Sequence, residues 1–143
     1  MPIHLEVVAV DRMVYKDDVD MVVVPGAEGE MGILPRHAAL MSALNYGDLV
    51  IKKAGQPDQH IAIGGGFVEV RPDRLTILAD SADQADEIDI AQAEEARRRA
   101  QESLARGLEA VDEERALAAL KRARLQLKIA ERTGRGGRRS GGS

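Results

Sequence analysis

The chain has 143 residues, a formal charge of −4 at neutral pH, three histidines and no cysteine. That length buries a modest core without metal or crosslink, and the missing cysteine excludes disulfide scaffolds, thiolate zinc sites and thiol catalysis. His4, His37 and His60 lie far apart, with no acid at helical spacing from any of them, so no metal site is expected.

The opening segment, MPIHLEVVAV, carries an acid where a signal peptide would carry basic residues, and its apolar run is too short to span a membrane. A cytosolic protein that reaches a membrane only through a partner is expected. From Ile3 to about Leu78 the chain reads as short β-rich runs: IHLEVVAV, MVVVP, GDLVIKK, HIAIGG, FVEVRP and RLTILAD. Alternation in Phe67, Val68, Glu69, Val70 and in Leu75, Thr76, Ile77, Leu78 marks strands that bury one face. Turn signals fall at Pro25-Gly26, Tyr46-Gly47-Asp48, Gly55-Gln56-Pro57-Asp58 and Arg71-Pro72-Asp73. Gly64, Gly65 and Gly66 suit a bulge or the close approach of another backbone. They do not read as a phosphate loop, because a strand rather than a helix follows. Many short strands without intervening helices favour an antiparallel sandwich or barrel, and residues 1–84 are read as an all-β sandwich.

Beyond Ser81 the composition changes to the good helix formers Ala, Glu, Arg, Leu and Gln. Asp89 caps a helix running to about Arg106, with Gly107 as its stop. Asp112 opens a second, with Glu113 and Glu114 in its first turn, and Thr133-Gly134 ends it. Ile90, Ala93, Ala96, Ala100 and Leu104 form one apolar stripe, and Ala116, Leu120, Ala123, Leu127 and Ala130 the other. Residues 85–132 therefore read as a hairpin of two antiparallel helices. At roughly 25 cal/mol per Å² an alanine seam stabilises far less than a leucine one, so the hairpin is expected to be weakly held and suited to movement. Beside the seam, Lys121, Arg124, Lys128 and Arg132 recur every three or four residues as a cationic stripe. Residues 133–143, TGRGGRRSGGS, read as a disordered tail. Charge is graded along the chain: Met1–Asp83 holds 7 basic and 13 acidic residues, whereas Arg115–Ser143 holds 9 basic residues and the single acid Glu131. Such asymmetry suggests an acidic partner surface.

Two stretches are more specific. GAEGEMGILPRHAAL (Gly26–Leu40) places Gly29, Gly32, Ile33, Pro35 and His37 ahead of Leu40, and GGGFVEVRPDRLTILAD (Gly64–Asp80) follows it in order. With the hairpin behind them, the chain from Ile3 to about Arg132 resembles the epsilon subunits of bacterial F-type, proton-translocating ATP synthases. The resemblance implies a non-catalytic rotor subunit at the cytoplasmic face of the cell membrane, with the gamma subunit, the c-ring and the alpha/beta catalytic head as partners. It implies coupling of proton-driven rotation to ATP synthesis, and a hairpin that can extend to inhibit hydrolysis. It further implies that Glu28, Glu30, Met31 and His37 help form the interface with the c-ring and gamma. Lys121, Arg124, Lys128 and Arg132 would meet acidic parts of the beta subunit.

Some relatives bind ATP through Ile/Leu-Asp, two residues, then Arg-Ala, supplemented by arginines along both helices. Here Ile88, Asp89 and Ala93 match, and Arg99 and Arg122 fit supplementary positions, but Gln92 and Gln126 stand where arginines are expected. Losing their fixed charge and forked donors leaves ATP as a weak regulatory ligand, with no cofactor required. No catalytic residue is expected, since no nucleophile or paired acid accompanies His37. Two other readings are a stand-alone ATP-binding module and a nucleic-acid-binding module with a basic tail. Against the second stand the acidic body and a content of one Phe, two Tyr and no Trp, too few for base stacking.

Overall fold

A computed structural model describes residues 2–10 and 12–134, and the chain divides into two units, Met1–Gln84 and Ala85–Ser143. Strands of the first unit are β1 (Ile3–Ala9), β2 (Arg12–Val19), β3 (Met21–Gly26), β4 (Gly29–Ile33), β5 (Leu40–Lys52), β6 (Gln59–Val70), β7 (Arg74–Ala79) and β8 (Ala82–Gln84). They hydrogen-bond in the order β2-β1-β7-β6-β5-β3-β4, with β8 added to β6. Alternation decides which face turns inward. β1 buries Ile3, Leu5, Val7 and Ala9 and turns His4, Glu6 and Val8 the other way. The inward residues of all eight strands, among them Val14, Val22, Ile33, Leu49, Ile63, Val68, Ile77 and Ala82, share one core, so the sheet is folded over as a sandwich. Each fully buried Leu or Ile contributes about 1.5–3 kcal/mol.

Several sequence expectations need correction. β2, β4 and β8 are missing from the runs read above. Only Val14 and Val19 of β2 are buried, which erases its alternation; β4 is glycine-rich, and β8 has three residues. The sheet is not wholly antiparallel, because β1 runs parallel to β7. Pro25-Gly26 ends β3 rather than forming the turn, and Tyr46-Gly47-Asp48 lies inside β5. Both signals have one cause. The β3–β5 register shifts between Val23 and Gly26, and a Cβ on Gly47 would lie 2.6 Å from Cβ of Pro25, so glycine makes room for the ring. The turns at 55–58 and 71–73 stand where expected.

Of the two uses proposed for Gly64–Gly66, close approach is the one realised. β6 keeps a single register against β7 and then β8, from Gly66 opposite Ala79 to Ile63 opposite Ala82. Between those pairs Asp80 N–H donates to Gly65 O at 3.0 Å and Gly64 N–H to Ser81 O at 2.8 Å. No bulge intervenes.

In the second unit a 3-10 turn, Ala85–Glu87, leads to α1 (Ile90–Ala105) and α2 (Ala110–Arg132). Asp89 is the N-cap of α1 and its carboxylate accepts from Gln92 N–H at 3.0 Å. Gly107, at φ +76°, stops that helix. Contrary to expectation, α2 begins at Ala110, not Asp112: Glu109 occupies the N-cap without a side-chain bond, and the first-turn acids are Asp112 and Glu113. Those acids face the positive end of the helix dipole instead of capping it. Thr133 and Gly134, the latter at φ +83°, close α2 as expected. The rest of the tail, from residue 135, lies outside the described residues. Ala93, Ala100, Leu120, Ala123, Ile129 and Ala130 are buried, whereas Ala96 of the expected stripe is exposed.

Candidate functional site

The sandwich carries an apolar surface that local alternation does not reveal. Phe67 of β6 lies opposite Ala43 of β5 on one side and Leu78 of β7 on the other. Leu78 pairs with Val8 of β1, and Val8 with Met13 of β2. Residues directly opposite one another project from the same face, so these five form a row across five strands. At the ordinary strand spacing the row is roughly 19 Å long. It lies on the outer face, because Leu44, Val68, Ile77 and Val7 beside its members are buried in the core. Phe67 is 58%, Leu78 56% and Met13 48% exposed. Adjacent Met41 is 71% exposed. Isolated exposed apolar residues are ordinary, but a continuous row is a candidate contact surface.

The segment expected at the rotor is not one loop. Glu28 lies in the turn before β4, Glu30 and Met31 lie on β4, and His37 follows in the β4–β5 connection. Glu28 and Glu30 are exposed, while Met31 is half-buried and packs against the core. Ala27 N–H donates to Ala43 O at 2.9 Å, which sets the Glu28 turn beside the β5 end of the apolar row. His37 is beyond the other end of β4. There Arg36 N–H donates to Pro72 O at 2.6 Å and ties the connection to the β6–β7 turn. The His37 ring donates from Nδ1 to Ala38 O at 2.8 Å, and His60 donates from Nδ1 to the buried Asp48 at 2.8 Å.

On the hairpin, the candidate nucleotide residues are dispersed. Ile88 and Ala93 are buried, Asp89 is engaged as the cap, and Arg122 is exposed. Arg99 Nε donates to Glu95 at 3.1 Å, and Glu95 also receives Arg98. Arg98 and then Arg99 hold the Glu95 carboxyl below its usual range. Toward the interhelical loop, where Ala96 and Ala119 leave the seam thin, a shallow open groove of about 450 Å³ runs between the helices. It is bordered by Arg99, Ser103, Asp112 and Arg115, and of the five candidates it includes Arg99 alone. Lys121, Arg124, Lys128 and Arg132 are all exposed along α2. The α1 arginines Arg97, Arg98 and Arg99 are matched by Glu94, Glu95 and Glu102, whereas Arg124 and Lys128 form no ion pair among the described residues.

Comparison with known families accounts for both units. Residues 2–85 match the beta-sandwich domain of the ATP synthase delta/epsilon chain, and residues 86–131 match its long alpha-helix domain. The chain belongs to the ATP synthase delta/epsilon family. Members of this family include the ATP synthase epsilon chain of Dehalococcoides mccartyi, 48% identical over 91% of this chain and 93% of the relative. The epsilon chain of Herpetosiphon aurantiacus is 47% identical over 92% of this chain and 96% of its own length. Such a chain is a subunit of the synthase other than the catalytic one. The fold also matches a chain in the cryo-EM structure of the Euglena gracilis mitochondrial ATP synthase, OSCP/F1/c-ring in rotational state 1. That match has a TM-score of 0.69 at 24% identity, covering 84% of this chain and 76% of the other.

The apolar row was absent from the candidate site residues read from the sequence, where Phe67 and Leu78 entered only as strand positions. Its only local signal is that Phe67 and Leu78 sit out of phase with the buried Val68, Val70, Leu75 and Ile77.

Proposed function

We propose that this chain is the non-catalytic central-stalk subunit of a proton-driven bacterial ATP synthase, peripheral on the cytoplasmic face of the membrane. In this reading the sandwich joins the gamma subunit to the c-ring, so that rotation of the ring is coupled to ATP synthesis in the alpha/beta head. The observation that carries it is the outward row Ala43, Phe67, Leu78, Val8 and Met13 on a member of this family. Gamma is assigned to that row, and the c-ring to the segment bearing Glu28, Glu30, Met31 and His37. Among the described residues no helix is long and apolar enough to cross a membrane, and attachment through these partners requires none. Purified gamma should bind the full chain; a folded chain that ignores gamma counts against the assignment.

The hairpin supplies the brake. Its seam is built mainly of alanine, so separating it from its contacts costs little, and the exposed stripe Lys121, Arg124, Lys128 and Arg132 fits an acidic surface of the beta subunit. Replacing all four with glutamine is expected to raise ATP hydrolysis by the assembled enzyme severalfold, because each exposed charge contributes about 0.2–1 kcal/mol. Unchanged hydrolysis with normal assembly would remove the stripe from the brake.

ATP is a weak regulatory ligand in this reading. One charge-assisted contact contributes about 1.5–3 kcal/mol, so Gln92→Arg should tighten ATP binding by roughly ten- to a hundredfold. Calorimetry on both chains, with and without magnesium, reads this directly, and equal affinities would dismiss position 92 as a determinant.

A further inference from the structure

His4 is clamped in a way that only one of its protonation states satisfies. Its Nδ1 lies 2.9 Å from an Asp18 carboxylate oxygen and its Nε2 lies 2.9 Å from a Glu6 oxygen. A neutral imidazole has one N–H, so one of these contacts would set a nitrogen lone pair against a carboxylate. The imidazolium donates to both. Asp18 is the register partner of His4 across the β1–β2 pair, and β2 is the last strand on its side of the sheet order.

We propose that His4 is a proton-operated latch on β2: its imidazolium ties Asp18 to Glu6, and loss of that proton frees the Lys16–Val19 end of β2 from β1. The charged groups around the ring on this face are Glu6 from β1, Lys16 and Asp18 from β2, and Arg74 from β7. Among these side-chain types only histidine ordinarily changes charge near neutral pH. Two further ties on β2 are made by other side chains, although the Asp17 carboxylate of the first is near enough to His4 to feel its charge. Lys53 donates to Asp17 at 2.7 Å, in a pair whose bond lowers the acid and raises the base, and the Tyr15 hydroxyl donates to Gln59 at 2.9 Å. The latch therefore acts locally. The sign follows from the hydrogen bond to Asp18 and then that to Glu6, which raise His4 above its ordinary value of 6.5. Its contribution is present in full below the ordinary value and is lost as the pH rises through the value in the folded chain.

Nuclear magnetic resonance on the full chain tests this by following the His4 ring and amide exchange together from pH 6 to 9. The ring is expected to titrate above its ordinary value. Protection of the Asp17 and Val19 amides, which face β1 in this register, should fall relative to Ile77 as that proton leaves, by up to roughly tenfold per unit of upward displacement. In His4→Gln the ratio should be low and independent of pH. A wild-type ring titrating at or below its ordinary value, or a protection ratio unchanged through the midpoint, overturns the latch without recourse to the variant.

Discussion

Gly66→Ala is expected to destabilise the sandwich by about 4 kcal/mol or more, a loss confined to the few mechanisms that produce large mutational effects. Gly66 sits at φ +121°, and a Cβ built there would lie 2.1 Å from Leu78 O and 2.8 Å from Ala79 Cα. The backbone angle alone costs a non-glycine residue about 1–3 kcal/mol. The contact adds to this because both neighbours are main-chain atoms of β7, held by the pairing of Gly66 with Ala79. No rotamer change relieves it. Against a typical stability of about 5–15 kcal/mol, such a loss lowers the melting temperature of a domain this size by roughly 20 °C. Gly29→Ala is the matched control, since Gly29 also has a positive φ, +132°, but a Cβ there would meet nothing within 4 Å. It should lose only several degrees in thermal unfolding by circular dichroism. Equal losses in the two variants would mean that the close approach to β7 contributes nothing.

If gamma docks on the apolar row as proposed, Phe67→Asp combined with Leu78→Asp is expected to weaken binding of the chain to gamma at least about 100-fold, because it places two charges in the middle of that row. Both positions are more than half exposed in the free chain, so folding itself should be spared. The core neighbours Val68 and Ile77 point the other way. Isothermal titration of wild type and variant with gamma separates the two effects, provided both show the same unfolding midpoint. Undiminished binding by a folded variant would move the gamma contact off this face.

Where the sequence was legible, the signal was local and periodic. The alternation in β1, β6 and β7, the helix-forming composition after Ser81, the Asp89 cap and the glycine stops at 107 and 134 all act within a few residues. What escaped depends on partners distant in the chain. β2 looks irregular until its pairing with β1, which breaks register between Val7 and Val8, is known. The apolar row joins positions 13, 8, 78, 67 and 43, a set fixed only by four strand registers. His4 and Asp18 are 14 residues apart and meet across a hairpin. Tyr46-Gly47-Asp48 carries real turn chemistry, but Gly47 is used to admit Pro25 within the sheet. On the hairpin the period located the seam without showing that Arg99 would be taken by Glu95, four residues before it on the same helix.

The most direct measurement is add-back to a bacterial ATP synthase stripped of its epsilon chain, reading bound chain and ATP-driven proton pumping in the same preparation. The wild-type chain should bind at one copy per enzyme and restore coupled pumping, and the Phe67→Asp, Leu78→Asp chain should do neither. A folded wild-type chain that fails to bind, or a variant that binds and couples as well as wild type, would contradict a stalk subunit docked through its apolar face.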